Sequence, residues 1–268
     1  MTAGYLRWVA RAPGPSARVS AGTRACALVG LATVYLAVGS PLAALAARDL
    51  FSACMLQQVL LAFVAAPLLL CGLPGGLLQP VVRRARLLAW IRTATQPILA
   101  TIAFHLLFGV FFVPAVFDAV QAGRAGYVGA AAALTLAAMC MWWPVVSPLP
   151  DAPSLADPAQ LLYLLFNWLA ILVAFALVLF GTGLPYATYS AAVRPAGLSP
   201  TLDRQLAGAI LGVLSHLAYG VAIAAAFFRW ANTAATTATP NRIYRRLLAG
   251  GFTEAQAGRI AGLRRDAP

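Results

Sequence analysis

Gln160-Leu-Leu-Tyr-Leu-Leu-Phe-Asn-Trp-Leu-Ala-Ile-Leu-Val-Ala-Phe-Ala-Leu-Val-Leu-Phe-Gly-Thr182 runs for 23 residues without one charged side chain. A helix needs about 20 mainly apolar residues to cross the hydrocarbon core of a bilayer, so this stretch reads as a membrane crossing. It lies in one of six charge-free windows, at 25–47, 50–82, 93–117, 125–150, 158–193 and 205–228. One crossing fits in each, at 25–46, 50–72, 96–117, 126–147, 160–182 and 205–229. The whole chain of 268 residues is 62% apolar and 10% charged, with a mean hydropathy of +0.82. Soluble domains carry about 25% charged residues, which excludes an ordinary water-soluble enzyme. The expected fold is all-α: a polytopic transmembrane helical bundle of six crossings spanning 25–230. A basic N-terminal segment, 1–24, precedes it and a basic tail, 231–268, follows.

The charges orient the bundle. All 19 basic residues are arginine. With six crossings, the two ends share a side with the second and fourth loops, and that side holds fifteen arginines against four on the other: Arg48, Arg124, Arg194 and Arg204. By the positive-inside rule both termini are expected in the cytoplasm. The net charge of +12 therefore points to a lipid surface and not to nucleic acid, since the arginines lie between apolar spans. Met1 to Arg24 lacks the apolar core of an export signal.

Gly/Pro stretches at 72–76, 148–150 and 181–185 punctuate the spans. After the last span, Asn232 to Pro240 reads as a polar linker. Residues 241–265 then read as two short helices broken at Gly250-Gly251, with Thr253 capping the second. A basic tail of this kind suits anionic lipid better than a helix-turn-helix DNA reader.

Ionisable groups within spans are the usual markers of function, and two histidines qualify. His105 and His216 both fall near the midplane. They read as neutral histidines hydrogen-bonded across helices or, alternatively, as axial haem ligands on facing helices. Gly208-Ala-Ile-Leu-Gly212 has the small-residue spacing of close helix contact. Cys26, Cys54, Cys71 and Cys140 are scattered without metal-finger spacing and read as small apolar fillers at 26, 71 and 140. No acid, base or nucleophile constellation supports an enzyme.

Three clusters are more distinctive. The first runs from Gly39-Ser-Pro-Leu42 through Asp49-Leu-Phe-Ser-Ala-Cys-Met-Leu-Gln-Gln58 to Ala66-Pro-Leu-Leu-Leu70. The second is Met141-Trp-Trp-Pro-Val-Val-Ser-Pro148. The third comprises Leu184-Pro-Tyr-Ala-Thr-Tyr189, Leu202-Asp-Arg-Gln-Leu-Ala-Gly208 and Phe227-Phe-Arg-Trp230. In this order and spacing, over about residues 18–231, they resemble the CtaG family of cytochrome c oxidase assembly factors, closest to the form found in bacilli. The resemblance implies a helical membrane protein that helps mature a haem-copper oxidase, with an oxidase subunit as partner and copper as the metal handled. Family members usually have seven crossings, and span 25–46 matches the family's second.

The departures from the family pattern concern metal ligands. Where the family has Ser-Ala-His-Met-x-Gln, this chain reads Ser52-Ala-Cys54-Met55-Leu-Gln57. A family histidine falls at Ala131 and a family methionine at Leu211. These positions share a depth of roughly 6–10 Å below the outer ends of their spans. Cuprous copper takes thiolate, thioether and imidazole, which leaves Cys54 and Met55 as the soft donors at that level. The residues themselves assign no other cofactor. The outer rim, with Tyr186, Tyr189, Asp203, Arg204 and Gln205, is expected to meet the partner. A single cysteine at Ala122 should react with an impermeant thiol reagent on intact cells, and one at Ala249 only after permeabilisation. The opposite pattern would invert the topology.

Overall fold

Prolines set two of the helix breaks. A proline has no N–H to donate and drives the residue before it into extended backbone. Ser40, at φ −104° and ψ 174°, therefore ends a first helix, α1 (Ala21–Gly39), and caps α2 (Pro41–Arg48). Val113, before Pro114, likewise separates α5 (Pro97–Val110) from α6 (Pro114–Gln121). The remaining helices are α3 (Phe51–Cys71), α4 (Ala85–Ala94), α7 (Arg124–Trp142), α8 (Asp157–Phe180) and α9 (Pro200–Ala249).

This computed structural model describes residues 20–75, 85–149, 151–181, 186–189, 194, 198–254, 256 and 260. Most of the N-terminal basic segment, Pro185 and the tail's Arg259, Arg264 and Arg265 lie outside the described residues. Among those described there is no strand, so the chain is an all-α polytopic bundle. Helices α1, α3, α7, α8 and the 200–234 part of α9 are each long and apolar enough to cross a membrane. The pair α4 and α5, bent by 68°, makes a sixth when counted as one span.

The structure corrects three boundaries. The first crossing, expected to reach 46, stops at Gly39 because Pro41 follows. The third, expected at 96–117, is the 14-residue α5, about 21 Å long and short of a hydrocarbon core of about 30 Å. Its bent companion α4 carries Arg86, Arg92 and an exposed Trp90, a composition suited to the membrane interface. The expected linker at 232–240 is instead helical, since α9 runs unbroken for 50 residues. Its alanines favour a helix, but its threonines and Pro240 do not, and nothing local in the sequence accounts for the continuity. The break at Gly250-Gly251 is present, with Gly251 at φ 85°. Beyond it, Thr253 and Gln256 cap one another reciprocally.

Helix α3 forms the centre of the bundle, and it contains a wide turn. Residues Leu60–Ala65 are π-helical, placed directly before Pro67. The Ala66 N–H bonds to the Leu61 carbonyl and Pro67 has no N–H, so the Ala62 carbonyl has no helical donor within reach. The Trp142 indole N–H supplies one across the bundle at 2.9 Å. An unpaired carbonyl in hydrocarbon is costly, and this bond gives the first tryptophan of Trp142-Trp143-Pro144 its role. Trp143 donates to the Ala152 carbonyl at 3.0 Å, while Gln160 donates to the carbonyls of Pro144 and Val145. The motif thus closes the turn between α7 and α8. On the far side, Gly208 and Gly212 let α9 lie against α8: a Cβ at Gly208 would come within 2.7 Å of the Leu179 backbone.

Two carboxylates tie the other end together. Asp203, fully buried, accepts from the backbone N–H groups of Phe51 and Ser52 at 2.9 Å each, and so caps α3 from α9. Asp118 on α6 accepts from the N–H groups of Ala187 and Thr188 at 3.0 and 2.9 Å, and from the Thr188 hydroxyl at 2.6 Å. That bond set docks the 3-10 turn Ala187–Tyr189. Partial burial lifts the Asp118 carboxyl, but the Thr188 and Ala187 bonds outweigh it and hold it below the usual carboxylate range.

Two outcomes are expected. Replacing Trp142 with Phe orphans the Ala62 carbonyl and should cost about 1–3 kcal/mol, read as a lower unfolding temperature in detergent. Pro67→Ala restores an N–H there, so W142F should cost markedly less in that background; equal costs would show that the indole bond is incidental. A carboxyl depressed on folding lends stability above its unfolded value and loses it as pH falls through its folded value. Stability should therefore drop below about pH 4, with part of that acid sensitivity missing in Asp118→Asn.

Candidate functional site at the Asp203 end of the bundle

The N-terminus of α3, held by Asp203, places its first two turns beneath α6 and the 187–189 turn. Four aromatic rings close over it. Phe117 and Tyr186 lie tilted against one another with centroids 4.3 Å apart, and Phe51 lies 5.1 Å from Tyr186 and 6.0 Å from Tyr189. The Tyr189 hydroxyl donates to the Ala46 carbonyl at 2.6 Å, near the end of α2. Arg194 donates to the Tyr189 carbonyl at 2.8 Å and lies 3.8 Å from the Asp203 carboxylate. This lid covers a cavity of about 40 Å³ between α3, α6 and α7.

The cavity holds the sequence's first metal candidate. Cys54 lines it with Gln57, Gln58, Gln121, Tyr127 and Ala131. The Cys54 Sγ accepts from the side-chain amides of Gln58 at 3.5 Å and Gln121 at 3.9 Å. Gln57 donates to the Ala37 carbonyl at 2.7 Å and to the Tyr127 hydroxyl. The side-chain carbonyls of Gln58 and Gln121 are buried without a partner. The cavity thus offers two amide acceptors and room for a water-sized hydrogen-bond donor.

The structure sorts the metal positions. Cys54 and Ala131 share the cavity wall, whereas Met55 and Leu211 are fully buried in the apolar core and do not line it. The donor set does not fit cuprous copper: one thiol stands among amide and phenol groups, which are harder ligands than thioether or imidazole. No group of three or more His, Cys, Asp or Glu gathers among the described residues. At the opposite end of α3, however, the Cys71 and Cys26 thiols lie against one another, although the spacing of cysteines in the sequence shows no pair. Only the packing of α1 on α3 brings them together.

The rim residues are placed just as specifically. Tyr186, Tyr189, Asp203 and Arg204 are buried and bonded within the chain, so their side chains close the bundle, while Gln205 is exposed. Exposed Leu202 and Leu206 flank it. The two histidines do not face one another. His105 lines a cleft with Ala170, Val173 and Ala174, while His216 packs on Trp168 and Phe175. At 100° per residue these sets occupy roughly opposite faces of α8, so α8 separates the rings. Each bonds through Nδ1 to a carbonyl of its own helix, Thr101 at 2.9 Å and Gly212 at 2.6 Å. At this depth Asn167 on α8 and Thr101 on α5 make a polar contact across helices, at 3.2 Å. Its signal in the sequence was an asparagine within the most apolar span.

No curated protein and no solved structure matches the chain. A family model does, described as cytochrome c oxidase caa3 assembly factor, over residues 3–233. That match spans the helical core from α1 through the apolar part of α9, with the capped α3, the Trp142 bond and the aromatic lid inside it. The chain belongs to the cytochrome c oxidase caa3 assembly factor family.

Proposed function

We propose that this protein assists the assembly of a haem-copper oxidase in the bacterial cell membrane as a non-catalytic membrane scaffold, without copper held at Cys54. Family membership supports the assembly role. The observation that carries the finer reading is the cavity at Cys54: a single thiol, two unpartnered amide oxygens, and Ala131 on the wall where the resemblance implies a histidine. A thiolate is the species that binds metal, and nothing cationic lines the cavity to favour one.

The arginine asymmetry supports placing the Asp203 end outside and both termini in the cytoplasm. On that orientation the exposed strip of Leu202, Gln205 and Leu206 is where an oxidase subunit docks, held rigid from beneath by Asp203 on α3. A fixed backbone under a small apolar patch suits recognition better than a mobile loop. A structural role in another membrane complex is the second reading, favoured by the substitution of the family's soft ligands.

The test is complementation in cells lacking the chain. Membranes should lose assembled oxidase activity, and the wild type and Cys54→Ala should restore it equally. Protein purified anaerobically after exposure to a cuprous donor should show no copper that depends on Cys54. Ala131→His, which adds an imidazole beside the thiol, should raise retention. Stoichiometric copper abolished by Cys54→Ala, together with failed complementation, would overturn the scaffold reading. Full oxidase activity without the chain would instead favour the second reading.

A further inference from the structure

Between α5 and α8, at the Asp203 end, lies a cleft of about 410 Å³, within the usual range of ligand pockets. Apart from His105, its walls are apolar: Phe108 is buried at its base, and Val173 and Leu177, on the α8 side, are exposed on the bundle's flank. On a membrane-spanning helix such side chains meet lipid tails, so the cleft opens to hydrocarbon.

One end of the cleft is closed by a cation. Arg204 is only 6% exposed, and one guanidinium nitrogen donates to the Val178 carbonyl at 3.1 Å, in the last turn of α8. Its Nε is buried without any partner. Among the described residues no carboxylate pairs with it, because Asp203 accepts from Phe51 and Ser52 and faces Arg194. A buried arginine at a membrane boundary is stabilised by an anion, and its planar fork matches phosphate oxygens.

A second feature keeps the cleft open. Gly109 lies on its wall in the last turn of α5. A Cβ there would meet nothing within 4 Å. Helix packing does not require this glycine; a side chain at 109 would stand in the cleft.

From this charge complementarity, we infer that the cleft seats one anionic phospholipid, its phosphodiester on Arg204 and one acyl chain lying along Gly109, Val173 and Leu177. The site is distinct from the Cys54 cavity and does not depend on how oxidase assembly is achieved.

Native mass spectrometry of the full chain in mild detergent tests it, with phosphatidylglycerol and phosphatidylethanolamine offered at equal concentration. One phosphatidylglycerol per chain should be retained at least tenfold over phosphatidylethanolamine. Arg204→Gln should abolish that preference. Gly109→Leu, which leaves Arg204 in place, should lower retention of both lipids, and soluble glycerophosphoglycerol should fail to compete. Unfolding temperature shows whether each variant is folded. Should Arg204→Gln unfold the chain, Gly109→Leu alone decides. Equal retention of the two lipids by the wild type, or undiminished retention in folded Gly109→Leu, would overturn the proposal. Competition by the soluble headgroup would reduce the site to a phosphate contact and overturn the acyl-chain assignment.

Discussion

The Asp203 carboxylate, lying across two backbone N–H groups of α3, is the interaction on which the rest of this end depends. The first N–H groups of any helix lack intrahelical acceptors. At the start of α3 they face the interior of the bundle, with Phe51 and Ser52 both buried, so water cannot serve them. Asp203 supplies both acceptors at once and places negative charge at the positive end of the helix dipole. It also joins residues about 150 positions apart in the chain. The aromatic lid, the Cys54 cavity and the Arg204 cleft all take their positions from the α3–α9 junction that this carboxylate holds.

The same requirement, that every backbone polar group in hydrocarbon find a partner, explains the π-turn and the tryptophan motif together. Pro67 takes one donor out of α3, the helix widens ahead of it, and an indole from α7 meets the carbonyl left over. Gln160 performs a comparable service for two carbonyls after Trp143, with Arg229 hydrogen-bonded to its own oxygen. Residues that stand out in the sequence as unusual membrane filler are mostly satisfying backbone groups. Their recurrence in a family can follow from folding alone, whatever metal the protein carries.

That distinction bears on how the family's chemistry is inherited. Of the four positions singled out for soft ligands, only Cys54 and Ala131 reach the cavity, and one of those carries a methyl group. Met55 lies one residue along α3 from Cys54, a rotation of about 100°, which takes it into the core. Shared depth in the membrane was a necessary condition for a common site and not a sufficient one. The face of each helix also had to agree, and for Met55 and Leu211 it does not.

The sequence by itself determined that the chain is an all-α membrane bundle, because charge-free windows longer than a bilayer is thick admit few other structures. It also determined the helix break at Gly250-Gly251 and, in Gly208 and Gly212, a surface for close helix contact, while only the structure shows that α8 is the partner. The family was legible in the order of its motifs. Tertiary structure alone decided what those motifs do. Asp203 and Tyr189 look like rim residues in one dimension and turn out to be buried, because hydropathy reports depth along a span but not which way a side chain points. The Cys26–Cys71 contact and, among the described residues, a guanidinium beside an open cleft with no carboxylate partner arise from helices meeting across the bundle. No local pattern encodes those contacts, since each partner lies on a different helix and acquires its role only when packing excludes water from both.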